Sequence, residues 1–168
     1  MSTDSKSKAP YILRTHRPGD MGWIIHRQAV LYHEEQGWNE QFEANVAKIA
    51  AEFLKKFDPK RERCWIAERD GEIIGSIFCV RRSETIAQLR LLYVEPSARG
   101  FGLGNRLVAE CIRFAQRAGY KKMRLWTNST LSAARHIYER EGFSLVSEEP
   151  HRTYGPLLRG QTWERSLV

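Results

Sequence analysis

Apolar residues along this chain recur at two spacings, and the switches between them mark out its elements. Tyr11 to Thr15 reads as a short strand. Pro18-Gly19-Asp20 reads as a turn, with Asp20 as N-cap of a helix running to about Tyr32. Glu34-Glu35-Gln36-Gly37-Trp38 then reads as a loop with an exposed tryptophan, and Asn39 suits the cap of a second helix. In that helix Phe42, Val46, Ile49, Ala50, Phe53 and Leu54 fall on one face. The period then shortens to that of strands. Cys64–Arg69 and Glu72–Val80 flank Asp70-Gly71, a strong two-residue hairpin signal. A third strand spans about Ile86 to Val94 and stops at Pro96, which cannot continue a ladder.

Helical spacing returns in Leu103, Leu107, Val108, Cys111, Ile112 and Ala115, and Gly119 is placed to close that helix. Lys122–Thr127 reads as a strand and Ser132–Arg140 as a helix. Gly142-Phe143 leads into another strand, His151 to Gly160 reads as a loop or irregular hairpin, and a last strand lies near Thr162–Leu167. Hairpin-linked strands followed by a strand–helix–strand crossover make a mixed α/β (α+β) single domain.

Composition sharpens this only in places. With 168 residues, 42% of them hydrophobic, the chain can bury a core without staples. No apolar run approaches the ~20 residues of a membrane span. Met1 to Pro10 is polar, lacks a signal-peptide core and reads as a disordered tail, so a cytoplasmic setting is expected. Cys64, Cys79 and Cys111 lack metal-ligand spacing and are odd in number, which speaks for buried free thiols and against a metal site or disulfide framework. A net charge of +7 favours an anionic partner. Nucleic acid and a phosphorylated cofactor are both candidates; the scatter of the basic residues weakens the case for nucleic acid, but composition alone does not choose between the two.

Arg99-Gly100-Phe101-Gly102-Leu103-Gly104 lies between a strand and an apolar helix and has the makings of an anion site. Its glycines let backbone approach a ligand, and the helix's first N–H groups and dipole favour negative charge. Arg99, with Arg106 one turn on, can add charge-assisted bonds. A phosphate-binding P-loop needs G-K-[ST] where this chain has Gly104-Asn105-Arg106, and a dinucleotide fold needs G-x-G-x-x-G rather than G-x-G-x-G.

At these residues the sequence resembles the GNAT superfamily of N-acetyltransferases. Arg99, Gly102 and Gly104 fill the family's [QR]-x-x-G-x-[GA] motif after Tyr93-Val94-Glu95-Pro96. Ala134 through Phe143 matches its later A-x-x-x-Y-x-x-x-G-F, although Leu131 stands where many members carry Asn. Asn128 is a candidate substitute for that contact. His16–Trp23 and Gly160–Glu164 further resemble the acetyltransferase half of proteins that fuse a MarR-type DNA-binding domain to a GNAT domain; on that likeness this is a free-standing relative, not itself a DNA binder.

The resemblance implies a strongly bent mixed sheet of six to seven strands flanked by about four helices, a GNAT-like fold over 11–168. It implies acetyl transfer from acetyl-CoA to a primary amine of a small molecule, peptide or protein lysine, by direct attack. The alternative is a CoA-sensing or regulatory module without turnover. Tyr138 sits where the family places its general acid. Leu92, Tyr93, Val94, Arg99, Gly100, Phe101, Gly102, Leu103, Gly104, Asn105, Asn128 and Ala134 are the expected CoA contacts, with the pantetheine lying in the open sheet and a backbone N–H near Val94 holding the acyl oxygen. Tyr32, Glu35, Trp38 and Phe42 form an aromatic and acidic group able to hold a cationic amine. Glu34, Glu35, Glu84, Gln88 and His151 are the candidate bases, and His151, Tyr154 and Trp163 the candidate far wall. Homodimers are common in such enzymes, and no feature of the sequence marks an interface.

Overall fold

The computed structural model describes residues 10–168, so the expected tail of residues 1–10 lies, but for Pro10, outside the described residues. The strands are β1 (Ile12–Thr15), β2 (Arg63–Arg69), β3 (Glu72–Arg81), β4 (Ile86–Val94), β5 (Lys122–Asn128), β6 (Ser144–His151) and β7 (Leu158–Ser166). The helices are α1 (Asp20–Gln36), α2 (Glu40–Lys56), α3 (Leu103–Arg117) and α4 (Ser132–Arg140), with a 3₁₀ turn at Pro96–Ala98. The strands form one seven-stranded sheet in the order β1-β2-β3-β4-β5-β7-β6. Every neighbouring pair is antiparallel except β4 and β5, which α3 joins as a parallel crossover.

The sheet is covered on both faces. Leu103, Leu107, Val108, Cys111, Ile112 and Ala115 of α3 pack with Ile77, Ala87, Leu89, Met123 and Leu125 on one side. Met21 and Ile24 of α1 and Ala50 and Phe53 of α2 pack with Cys64, Ile66 and Phe78 on the other. The hairpin at Asp70-Gly71 has φ of 53° and 78° at its two central residues, the left-handed pair that matches the twist of antiparallel strands. All three cysteines are free and buried.

Several expectations change. Asp20 is not the cap of α1, because Gly19 fills that position and Asp20 is the first helical residue. The Asp20 carboxylate instead accepts from Arg14 at 2.8 and 3.1 Å and from the Arg17 amide at 2.8 Å, which ties the helix start to β1. Helix α1 continues through Glu34-Glu35-Gln36 to a left-handed Gly37, so the expected loop is mostly helix. Trp38 is only 2% exposed, against the exposed position expected of it, while Leu54 is 50% exposed despite its apolar pattern in α2. Asn39 does cap α2, its side chain accepting from Gln41 N at 3.0 Å. Strand β7 begins at Leu158, inside the stretch expected to be irregular, because β6 pairs with it back to Leu158.

Candidate active site

The site is a split in the sheet. β4 and β5 pair only over Ile86–Leu89 and Lys122–Leu125. Beyond that, β5 stays with β7 as far as Asn128, and β4 stays with β3 as far as Val94. Leu91 and Leu92 together oppose Ile77, and Leu91 takes a φ of 52°. Such a bulge bends its strand and sharpens the local twist, which carries β4 away from β5. It also reverses the side-chain alternation. Before the bulge Ala87 and Leu89 face α3, whereas after it Leu92 and Val94 do, and Leu91 turns to the α1–α2 side. The split opens a cleft of about 810 Å³, a volume suited to a cofactor-sized ligand.

One end of the cleft is the glycine turn. Gly102 is the N-cap of α3 with φ of 79°, a conformation in which a Cβ is strained, and no side chain caps the helix. The first N–H groups of α3 are therefore left for a ligand, with the dipole favouring an anion there. Leu103, Gly104 and Asn105 line the cleft at this point. Gly104 permits α3 and α4 to approach closely, since a Cβ there would stand 2.9 Å from Cδ1 of Ile137. Gly100 also lines the cleft, but Phe101 does not and is 41% exposed. Arg99 lines the cleft and donates to both oxygens of Glu35, at 2.8 and 2.9 Å. The guanidinium holds the Glu35 carboxyl below its ordinary pKa. Two residues read from the sequence as serving separate ends of the site are thus held together.

Tyr138 projects from α4 onto the middle of the cleft, 4% exposed and packed edge-on to Phe143 at 5.8 Å. Burial pushes its phenol above the ordinary tyrosine range, so it stays protonated at neutral pH. Ala134, one turn earlier, and the strand residues Leu92, Tyr93 and Val94 line the same space. The Tyr93 hydroxyl donates to Glu95 at 2.7 Å, and Glu95 also accepts from Arg27 at 2.7 Å, an arrangement that clamps α1 to the end of β4. Asn128, which lines the cleft, accepts from His151 Nε2 at 2.8 Å. His151 Nδ1 accepts from Thr153 N at 3.3 Å, so both ring nitrogens are engaged and His151 itself stands behind the cleft wall.

The other end is aromatic. Tyr32 stacks on Trp38 at 5.2 Å and 17°, and Phe42 and Tyr154 complete the cluster. Tyr32 reaches the carbonyl of Leu92 at 3.4 Å, and burial pushes its phenol up to about 12. All four residues expected to hold the amine line the cleft, where Trp38 and Phe42 pack edge-on at 4.8 Å and Glu35 is paired with Arg99. Of the candidate bases, Glu34 and Glu84 lie outside the cleft, Glu84 pairing with Arg81 in the β3–β4 turn. Gln88 lines the cleft but has no basic group to offer. Of the expected far wall, Tyr154 lines the cleft and Trp163 lies in the core on the α3 side.

Gln28, Asn45 and Arg90 also line the cleft and were not read as site residues. The sequence did carry a signal for two of them. Gln28 interrupts the buried stripe Met21, Ile24, Leu31 of α1, and Gln88 and Arg90 alternate with the apolar Ala87 and Leu89 of β4.

Among the described residues no helix is long and apolar enough to cross a membrane, and no group of three His, Cys, Asp or Glu is placed to hold a metal. The model of the acetyltransferase (GNAT) family matches residues 27–143. Mycothiol acetyltransferase of Streptomyces griseus is 32% identical over 136 residues, covering 79% of this chain and 42% of the relative. The chain spans about two fifths of the length of the curated relatives it matches. A Salmonella typhimurium structure holding its cofactor acetyl-CoA superposes with a TM-score of 0.74 at 21% identity, over 94% of each chain. The ribosomal-protein-alanine N-acetyltransferase of Brucella melitensis does so with a TM-score of 0.73 at 19% identity, over 92% of this chain and 99% of that one.

Proposed function

The chain belongs to the acetyltransferase (GNAT) family, and on that premise we propose that it moves an acetyl group from acetyl-CoA to a primary amine by direct attack. The observation that carries this reading is the split between β4 and β5, with an uncapped helix start at one end and the Tyr138 phenol on its wall. The fit to acetyl-CoA is physical. The pyrophosphate meets the N–H groups of Leu103, Gly104 and Asn105 and the Arg99 guanidinium once Glu35 lets go of it. The pantetheine lies along Leu92–Val94, where β4 has lost β5 as a neighbour, between Asn128 and Ala134. The acyl oxygen takes the backbone N–H of Val94.

The amine nitrogen attacks the thioester carbon, the C–N bond forms, and the C–S bond breaks. Tyr138 gives its proton to the departing thiolate. The amine's own proton leaves through water, since His151 has both nitrogens engaged and Glu35 is paired. We also read residues 11–168 as one acyltransferase domain acting in the cytoplasm, as the free buried thiols suit. Its likeness to the acetyltransferase half of MarR fusion proteins rests on the His16–Trp23 and Gly160–Glu164 segments alone.

Calorimetric titration with acetyl-CoA, with NADH and ATP as controls, tests the reading first, followed by an amine panel scored by free-thiol release. Selective acetyl-CoA binding with thiol release supports it. Binding without release from any amine favours the CoA-sensing alternative, and no binding removes both.

A further inference from the structure

The aromatic end of the cleft holds polar groups that have no partner, and all of them are donors. Gln28 of α1 is 1% exposed and its Nε2 meets no acceptor; the Trp38 indole N–H, 2% exposed, meets none either. Both residues line the cleft, as does Arg90. Arg90 precedes the β4 bulge and, like Gln88, faces α1 and α2, because its strand partner Phe78 packs on that side. Its guanidinium is half-buried, makes no hydrogen bond and has no carboxylate within 4.0 Å among the described residues. Burial draws its pKa below the ordinary arginine value; the Glu52 carboxylate acts against that from α2, and Arg82 adds to it. A buried donor without an acceptor destabilises the free protein, and a half-buried cation without an anion does so more. A ligand in the cleft that supplied acceptors and a negative charge would relieve groups of this kind, whereas a plain alkylamine would relieve none.

We propose that this end of the cleft is a carboxylate subsite, formed by Arg90 with Gln28, and that the acceptor is an amine bearing a carboxylate, as a free amino acid does. Arg90 offers the planar fork that pairs with a carboxylate, and Gln28 supplies a further N–H. The proposal rests on the acyl-transfer reading for the fate of the amine, but not for the binding of the carboxylate.

The test compares L-leucine with isopentylamine and L-phenylalanine with phenethylamine, each pair differing by one carboxylate, and O-phosphoethanolamine with ethanolamine. Wild-type protein should favour the amino acid of each pair by about tenfold or more in kcat/KM. Arg90→Gln should collapse that preference, chiefly through the KM of the amino acid, with the KM for acetyl-CoA unaltered; Arg90→Lys should restore part of it. Gln28→Leu should raise Tm by about 2 °C, since it removes the orphaned amide, while weakening amino-acid binding. Equal rates within the amino-acid pairs, or an Arg90→Gln loss shared equally by both members, would overturn the proposal. A preference confined to O-phosphoethanolamine would overturn it in favour of a phosphate subsite. Calorimetric binding of L-leucine and L-phenylalanine to wild type and Arg90→Gln, with CoA present and absent, reads the subsite without turnover. Binding lost in the variant supports it even if no acetyl is transferred, and failure of wild type to bind either overturns it even if simple amines are acetylated.

Discussion

The two ends of the cleft are made of different material. The glycine end is backbone: a 3₁₀ turn, a left-handed Gly102 and the bare first turn of α3, all within ten residues of one another. The aromatic end is side chain. Trp38 and Phe42 stand beside Tyr154 from the β6–β7 hairpin, and Asn45 donates to the Tyr154 hydroxyl at 3.2 Å across 109 residues of sequence. An anion held by backbone can be specified by a short local motif, since the conformation is set by the residues that form it. A pocket walled by aromatic rings exists only when three separate segments have packed. The first kind of site therefore suits a ligand common to a family, and the second suits one that varies.

Damage at the two ends therefore has different consequences. The largest effect should come from Trp38→Ala, expected to cost about 3–4 kcal/mol of stability because a buried ring leaves a cavity. Urea unfolding measures it, and the folded fraction should still bind acetyl-CoA at the glycine end; lost binding there would break the comparison. Gly102→Val should do the reverse. A Cβ at this position meets nothing within 4 Å, so the variant should fold with a loss of about 1–2 kcal/mol from backbone strain. Its acetyl-CoA affinity should fall about 100-fold by calorimetry, and unchanged affinity would remove the pyrophosphate assignment.

Tyr138 lies between the ends, and Tyr138→Phe should lower kcat about 100-fold with little change in acetyl-CoA binding. Because burial raises the phenol's pKa, wild-type kcat should show no descending alkaline limb from this group below pH ~10. An equal pH profile and rate in the variant would show that Tyr138 only packs.

The smallest effect concerns the one pair that links the ends. On the proposed reading Arg99 gives up Glu35 for the pyrophosphate, so Glu35→Ala should tighten acetyl-CoA about threefold, in line with the modest worth of a part-exposed ion pair. The Glu35 carboxyl lies below its ordinary pKa, held there by Arg99. The stability this pair adds is present above the unfolded glutamate value of ~4.3 and is lost as pH falls through the lower folded value. The affinity gap between variant and wild type should close over the same interval. A gap that persists there, or weaker binding by Glu35→Ala, would show that the pair supports the site.

Legibility followed the same division. The extents of β4 and α4 matched the apolar pattern, and Asn39 was readable as a cap, because alternation, helical spacing and caps are local properties. The failures were at positions where distant residues decide. Asp20 looked like a cap and became the partner of Arg14, since a strand reached it first. Trp38 looked like a loop residue and became core, since the β6–β7 hairpin closes over it. Glu35 and Arg99 were each legible as functional charges, yet their separation of 64 positions hid that they pair.

The sequence by itself determined the element order, the glycine turn and the position of Tyr138, because each depends on spacing within a few residues. Only the tertiary structure decided that β4 bulges and parts from β5, that Glu35 restrains Arg99, and that Arg90 and Gln28 line one cleft without acceptors for their side chains. Burial and pairing are properties of neighbours in space, and for these residues the neighbours are supplied by other elements of the fold.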